Sequence, residues 1–339
     1  MTTPAKIAIV LAPVNELTRK RTDEYNTIAA ELGGHVSFVL VDSEQSLDKV
    51  AQASEGGIAI TTPVYRAIRL GLINDLVQKV PTIKLMQASS AGTDRFDKAR
   101  LAEMGCAVAN HGGANAVAVA EHAIALMFGI SRKFHKQMAD VRAGLWSSEI
   151  TALPIPEFRT LVGKQVGIIG LGNVGSRIAK RLQGWECKVV FHDVRTFDAS
   201  YVAATGATPM ALDALLSTSD IVSVNVPLER TTRYLISDRE LALMKPTAIL
   251  VNTARGPVVE EAALVRALRN KQILGAGLDV TETEPIALEN PLFGFDNVII
   301  TPHMATRALE SDLNTLRFVV ANIDRLARGE ALQSVVLPV

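Results

Sequence analysis

Cysteine is scarce: the chain has two in 339 residues, Cys106 and Cys187, each inside an apolar, strand-like run. That argues against a disulfide scaffold, and the pair reads as small core residues in a reducing compartment. Neither sign of charge is in excess. The chain carries 35 Lys and Arg against 35 Asp and Glu, a net charge of +0, so it has no basic footprint for nucleic acid and no polybasic patch for a membrane surface. Long apolar runs are also missing. The most apolar stretch, Ala114–Ile130, is interrupted by Asn115, Glu121 and His122 and reads as a buried helix rather than a membrane span. The N-terminal run Ile7–Val14 is short, is broken by Pro13 and lacks a cleavage pattern, so a strand is expected there and not a signal peptide. Six histidines are scattered without ligand spacing, and no metal is expected. A cytoplasmic location is the expectation from these absences.

A length of 339 residues suits two domains better than one core. Over residues 1–110, strand-like runs at Lys6–Leu11, Val36–Val41, Gly57–Ile60, Ile83–Gln87 and Cys106–Ala109 alternate with helical patterns at Leu17–Leu32, Asp48–Ala53, Tyr65–Lys79 and Asp97–Met104. Such alternation means parallel strands with helices on both faces. The loop from Ala88 to Asp94 follows a strand end, where open α/β sheets bind ligands. N–H groups at Ala91 and Gly92 could hold a carboxylate there, although from local sequence a plain turn is the simpler reading. From His111, a glycine-containing joint leads into one long helix expected to reach about Ala143. Glu121 and His122 on it are adjacent and point to different faces; they could be interface polar groups or catalytic ones, and the structural role is favoured. Residues 144–160, with Trp146, Pro154 and Pro156, form an irregular connector.

The pattern is richest from Val166 to Asp193. An apolar run, Val166–Ile169, precedes G-x-G-x-x-G as Gly170, Gly172 and Gly175. An amphipathic run follows, and then a second apolar run, Cys187–Phe191, ends at His192 and Asp193. The first glycine permits a tight turn out of the strand. The second removes a Cβ where the backbone approaches a pyrophosphate, and the third lets the helix pack close to the sheet. The helix N-terminus aims N–H groups at phosphates. Asp193, 18 residues beyond Gly175, stands where an acid holds the adenosine ribose. Dinucleotide binding is the expectation. Further strands are expected at Ile221–Val224, Ala248–Val251, Ile273–Leu278 and Val298–Thr301. Helices are expected at Met210–Ser217, Asp238–Met244 (with Ser237 and Glu240 as a capping box) and Glu260–Asn270. Thr306–Arg328 is amphipathic, with Leu309, Leu313, Leu316, Val320, Ile323 and Leu326 in one stripe.

Three of these strand ends carry Arg255, Glu284 and His303. Hydride transfer to the ketone of an oxo acid needs a cation for the acid group and a proton donor for the forming alkoxide. Arg255 can bind a carboxylate bidentately. His303 can be the donor, and Glu284 can hold the far ring nitrogen and favour the charged imidazole. Each also has a plainer reading: a surface ion pair, a solvated loop acid, and a turn residue after Pro302.

The chain resembles the D-isomer-specific 2-hydroxyacid dehydrogenases. The residues that carry the likeness are Gly170–Gly175, Val251–Gly256, Leu278–Pro285 and Thr301–His303, in that order, with 29 residues from Arg255 to Glu284 and 19 more to His303. Ser90–Asp94 and Val119–His122 extend it to nearly the whole chain. The resemblance implies two doubly wound α/β domains, a Rossmann dinucleotide-binding domain inserted into a flavodoxin-like substrate domain. The substrate domain would be 1–110 plus 307–339 and the NAD-binding domain 111–306, with a cleft between them. It implies Arg255 as substrate-binding, His303 as acid/base and Glu284, rather than Glu282, as its partner. Asn173 and Val174 would lie on the pyrophosphate, Asp193 on the ribose, and Thr253 and Asp279 near the nicotinamide. Val226, Pro227, Ala254, Arg255 and His303 complete the candidate cofactor set. Ala91 and Gly92 would present N–H groups to the substrate carboxylate, and a homodimer is implied. The cofactor expected is NAD, because Asp193 repels a 2′-phosphate, an effect Arg195 could partly offset in favour of NADP.

Two positions depart from the family pattern. Thr281 stands where an aromatic is common, and Met304 where a smaller or β-branched residue is common. They leave the substrate open among glyoxylate, hydroxypyruvate, 3-phosphoglycerate and bulkier 2-oxo acids. Arg66, Arg69 and Arg95 could reach a phosphate but read as solvated surface residues. Two other functions share these residues: a nucleotide-sensing corepressor, and a dehydrogenase for formate or phosphite, of which Glu284 argues against formate.

Overall fold

The strand Lys6–Ala12 (β1) is apolar at nearly every position because it is buried on both faces. Ile9 and Leu11 pack with Ile60, Leu72, Leu76 and Met86 on one side. Ala8 and Val10 pack with Tyr25, Phe38 and Leu85 on the other. The structure is a computed structural model that describes residues 4–63, 68–69, 71–146 and 159–337. Arg66, Pro154 and Pro156 lie outside the described residues.

The first sheet is parallel throughout, in the order β2-β1-β3-β4-β5, with β2 at Val36–Asp42, β3 at Gly57–Thr62, β4 at Leu85–Ala88 and β5 at Ala107–Ala109. This is the flavodoxin-like order. Helices α1 (Glu16–Glu31), α2 (Leu47–Ala53), α3 (Leu72–Lys79) and α4 (Lys98–Glu103) connect its strands. Of the helix expected at Tyr65–Lys79, residues 65–67 and 70 lie outside the described residues; α3 itself begins at Leu72, where the left-handed Gly71 (φ +83) forms its N-cap. Cys106 lies in this core, where burial pushes its thiol up to about 11.

The chain divides into two compact units, Met1–Asn115 with Ala308–Val339, and Ala116–Arg307. The second unit holds α5 (Ala116–Ser131), α6 (Phe134–Arg142), β6 (Gln165–Ile169), α7 (Asn173–Leu182), β7 (Lys188–His192), α8 (Ala199–Ala203), β8 (Thr208–Pro209), α9 (Leu212–Thr218), β9 (Ile221–Val224), α10 (Asp238–Leu243), β10 (Ile249–Asn252), α11 (Glu261–Arg269), β11 (Gly275–Leu278) and β12 (Val298–Ile300). Its sheet is also parallel, in the order β12-β11-β10-β9-β6-β7-β8. Strand order reverses between β6 and β9, which makes that gap the switch point where such sheets take ligands. One row of register partners runs across six strands: His192, Ile169, Val224, Asn252, Leu278 and Ile300. The residues that follow this row all leave the sheet at the same edge.

Three expectations need correction. The single helix expected to reach Ala143 is two, α5 and α6. It breaks at Lys133, which is left-handed (φ +50), because the last carbonyls of α5 are taken by other groups: Arg159 N–H donates to Ser131 O (2.9 Å) and the Gln137 amide to Arg132 O. The edge elements α8 and β8 have no counterpart in the sequence reading, since Thr208 and Pro209 are exposed and form no apolar run. The last helix, α12 (Leu309–Arg328), begins three residues later than expected. It buries Leu316, Val319, Val320 and Ile323 against the first sheet, each worth about 1.5–3 kcal/mol. Leu309 and Leu313, placed in the same stripe by sequence, are exposed. Among the described residues, no helix is long and apolar enough to cross a membrane and no cluster of His, Cys, Asp and Glu is set to hold a metal ion.

Candidate active site

The glycine turn after β6 is built as tightly as its motif demands. Gly170 is left-handed (φ +92) and its N–H donates to His192 O (2.7 Å). A Cβ on Gly175 would stand 2.0 Å from Gly170 O, so only glycine lets α7 close on the turn. The α7 helix starts at Asn173 and Val174 with Gly172 as its cap and no side chain capping it, so its first N–H groups are left for a ligand. At the end of β7, Asp193 Oδ2 accepts from Leu171 N–H (2.8 Å) and Oδ1 from Arg195 N–H (2.9 Å). The Arg195 guanidinium folds back onto the same carboxylate (3.2 Å) and lies over the Phe197 ring (5.0 Å). Burial opposes ionisation of Asp193, but the Arg195 guanidinium and the two N–H groups outweigh it and hold the carboxyl below its ordinary value.

Two atoms along the same edge test whether a dinucleotide fits. Asn225 Oδ1 and Thr253 Oγ1 are buried and have no hydrogen-bond partner. They sit immediately beyond the register row, just after the ends of β9 and β10. A buried polar atom left unpaired costs about 1–3 kcal/mol, and a ligand bearing donors and acceptors would satisfy both. Val226 and Pro227 continue from Asn225, and Ala254 is fixed by its N–H bond to Asn252 Oδ1 (3.0 Å). The chain's own residues therefore fit the dinucleotide that the glycine turn and Asp193 imply.

Farther along the edge, the loops after β10, β11 and β12 carry Arg255, Glu284 and His303. His303 Nδ1 lies 2.9 Å from Glu284 Oε2 and 3.1 Å from Oε1. Since a carboxylate only accepts, Nδ1 carries the proton of this bond. Thr281 N–H donates to Glu284 Oε1 (3.3 Å) and steadies it. His303 itself is left-handed (φ +55), a conformation that costs a non-glycine residue about 1–3 kcal/mol unless its surroundings enforce it. Here they do: His303 N–H donates to Asp279 O (2.8 Å) and Thr301 O (2.9 Å). The Asp279 carboxylate, fully buried, then accepts from Thr301 Oγ1 (2.6 Å), Met304 N–H (2.9 Å) and Ala305 N–H (2.9 Å). After β10, Arg255 Nη1 donates to Ala254 O (2.8 Å), and Asn252 Nδ2 donates to Arg255 O (3.0 Å).

Other candidates separate clearly. Glu282 faces away from His303; it accepts from Glu261 N–H (3.2 Å) and from the Tyr234 hydroxyl. Glu121 pairs with Arg181 at the surface (2.9 Å), whereas His122 Nε2 meets Thr301 Oγ1 (2.9 Å). Neither His122 nor Thr301 was given a site role from sequence, although Thr301 opens the Thr-Pro-His motif. Thr281 is buried with its hydroxyl donating to Thr283 O (2.9 Å), while Met304 is half exposed next to His303. Ala91 and Gly92 lie in the first unit, in a loop shaped by Ser90 Oγ donating to Gly92 O (2.8 Å).

Residues 124–305 match the family model described as the NAD-binding domain of the D-isomer specific 2-hydroxyacid dehydrogenases. The chain is 36% identical over 260 residues to a glyoxylate reductase of Thermofilum pendens, an alignment covering 76% of this chain and 75% of that one. Among solved structures it is similar to a glyoxylate reductase from Paecilomyes thermophila (27% identity, TM-score 0.83, 98% and 99% of the two chains). It is also similar to the apo D-mandelate dehydrogenase of Rhodotorula graminis (28% identity, TM-score 0.84, 98% of each). With a doubly wound fold, a dinucleotide turn and these relatives, the chain belongs to the D-isomer specific 2-hydroxyacid dehydrogenases and is an NAD-dependent oxidoreductase of that family.

Proposed function

We propose that the enzyme interconverts a small 2-oxo acid and its D-2-hydroxy acid, with glyoxylate the first candidate, and that Arg255, Glu284 and His303 carry the chemistry. The observation that carries the reading is the His303–Glu284 pair at 2.9 Å on a turn held in a strained conformation. In the reductive direction the Arg255 guanidinium holds the substrate carboxylate and turns the carbonyl oxygen toward His303. NADH, when bound, would supply the hydride. His303 Nε2 gives its proton to the oxygen as negative charge develops there, and the Nδ1–H bond to Glu284 stabilises the imidazolium beforehand and fixes the ring's direction. In the oxidative direction the neutral ring takes the hydroxyl proton back.

The cofactor would be held by the N–H groups of Asn173 and Val174 beyond Gly170, Gly172 and Gly175, and by Asp193 at the ribose. Val226, Pro227, Thr253, Ala254 and Asp279 would line its path to the nicotinamide, with Arg255 and His303 at its end. Ala91 and Gly92 would present N–H groups to the substrate carboxylate. The roles proposed for the domains follow: 1–110 with 307–339 for substrate, 111–306 for NAD. A homodimer is supported by an apolar stripe left exposed on and after α6: Phe134, Met138, Val141 and Leu145. A cytoplasmic site of action is supported by two free cysteines.

The test is His303→Ala assayed against 2-oxo acids from glyoxylate to aryl pyruvates by NADH oxidation. Turnover should fall roughly 10²–10⁴-fold with NADH binding kept. Near-normal turnover would overturn the assignment.

A further inference from the structure

We propose that His122 is a positioning residue for the reaction: acting through the Thr301 hydroxyl and the Asp279 carboxylate, it fixes the turn that aims the His303 ring. The inference rests on His303 being the proton donor.

Proton counting sets the direction of the chain. Both Asp279 oxygens accept backbone N–H bonds, Oδ1 from Met304 and Oδ2 from Ala305, and a carboxylate has only acceptors to offer. The Thr301 hydroxyl, 2.6 Å from Oδ1, must therefore donate its single proton to Asp279. His122 Nε2, 2.9 Å from the same hydroxyl, can only be the donor to it. The ring is thus held as the Nε2–H form, and it also stands 3.5 Å from Asp279 Oδ1. The relay runs His122 to Thr301 to Asp279, and Asp279 grips the two residues after His303 while its backbone carbonyl takes the His303 N–H. With Thr301 fixed on one side and Met304 and Ala305 on the other, His303 has little freedom to leave its left-handed conformation.

Packing explains why a residue in the second turn of α5 reaches a strand end. The α5 helix lies on β10, β11 and β12, and β11 offers it glycine: a Cβ on Gly277 would stand 2.9 Å from Leu126 Cβ. A reciprocal Cβ on Gly129 would stand 2.8 Å from Ile299 Cδ1. The helix therefore rides close to the sheet, and His122 is lowered onto Thr301 while the adjacent Glu121 turns to Arg181.

The experiment compares His122→Leu and Thr301→Val with the conservative His122→Gln and Thr301→Ser, using the 2-oxo acid the wild type reduces best. Measurements are kcat, KM, NADH affinity by fluorescence titration, and Tm. The two disruptive variants should lose roughly 10–100-fold in kcat, the scale of a misaimed reacting group, with KM and NADH affinity held. His122→Gln and Thr301→Ser, which keep a donor and a hydroxyl, should recover most of it. The double variant His122→Leu/Thr301→Val should lose no more than either single one, since the two act in series. Multiplying losses, an unchanged kcat, or a loss that follows Tm through all four variants would overturn the proposal. Adding His122→Leu to His303→Ala separates it from the reading beneath. No further loss supports both, a further loss defeats the positioning role alone, and near-normal turnover of His303→Ala itself defeats the donor assignment and the inference with it.

Discussion

Glu282 and Glu284 sit two residues apart on one loop, and their carboxylates serve different ends: Glu284 receives His303 Nδ1–H at 2.9 Å, and Glu282 receives the N–H of Glu261 at 3.2 Å, at the start of α11. The proposed chemistry uses the first, and the second braces the fold. Replacing each by glutamine should separate them. Glu284→Gln removes the charge that supports an imidazolium, and kcat/KM should fall roughly tenfold or more. Glu282→Gln should keep most turnover and lower Tm. Equal kinetic losses in steady-state assays would contradict the division.

The Asp193–Arg195 pair bears on cofactor choice. Asp193→Ala should weaken NADH about tenfold, the worth of a charge-assisted bond to a ribose hydroxyl, and NADPH less. Arg195→Ala frees Asp193 of its counter-ion and should weaken NADPH more than NADH. Titration of both nucleotides into each variant, followed by fluorescence, reads the two ratios; unchanged ratios would mean the ribose is held elsewhere.

Two of the turn glycines should fail in different ways. A methyl on Gly175 meets Gly170 O at 2.0 Å, so Gly175→Ala must shift α7 or the turn and should cost about 1–3 kcal/mol of stability. A methyl on Gly172 meets only the end of the flexible Arg195 side chain at 3.2 Å. Gly172→Ala should therefore melt near the wild-type temperature yet bind NADH more weakly. Thermal melts paired with NADH titrations distinguish a steric fault in the fold from one at the pyrophosphate.

The exposed stripe on α6 gives a fourth kind of test. Met138 and Val141 are each more than half exposed. Light scattering after size exclusion should find a dimer for the wild type and a monomer for Met138→Glu/Val141→Glu. A monomeric wild type would remove the stripe's proposed purpose.

Much of the fold is legible in the sequence, and for a physical reason. Strands buried on both faces announce themselves as short apolar runs, so the residues at their ends, Asp193, Arg255 and His303 among them, can be picked out as candidates from sequence. The choice of Glu284 over Glu282 came from family likeness, because two solvated-looking acids in one loop carry no local mark of which way they turn. The break at Lys133 depends on Arg159 and Gln137 capturing carbonyls, which pattern alone does not show. The place of His122 was hidden for a related reason. Adjacent polar residues on a helix point to different faces, and only the close approach of α5 over Gly277 shows which face meets the strand end.

The split of the first unit into Met1–Asn115 and Ala308–Val339 has a bearing on how the protein is made. During synthesis the second unit is contiguous and can complete its sheet as soon as β12 has emerged. The first sheet is translated earlier but lacks the helix that covers Val10 and Tyr25 until α12 leaves the ribosome. At ordinary elongation rates of about 5–20 residues per second, that apolar face waits on the order of ten seconds or more for its cover. The earliest part of the chain is thus the last to have its core covered.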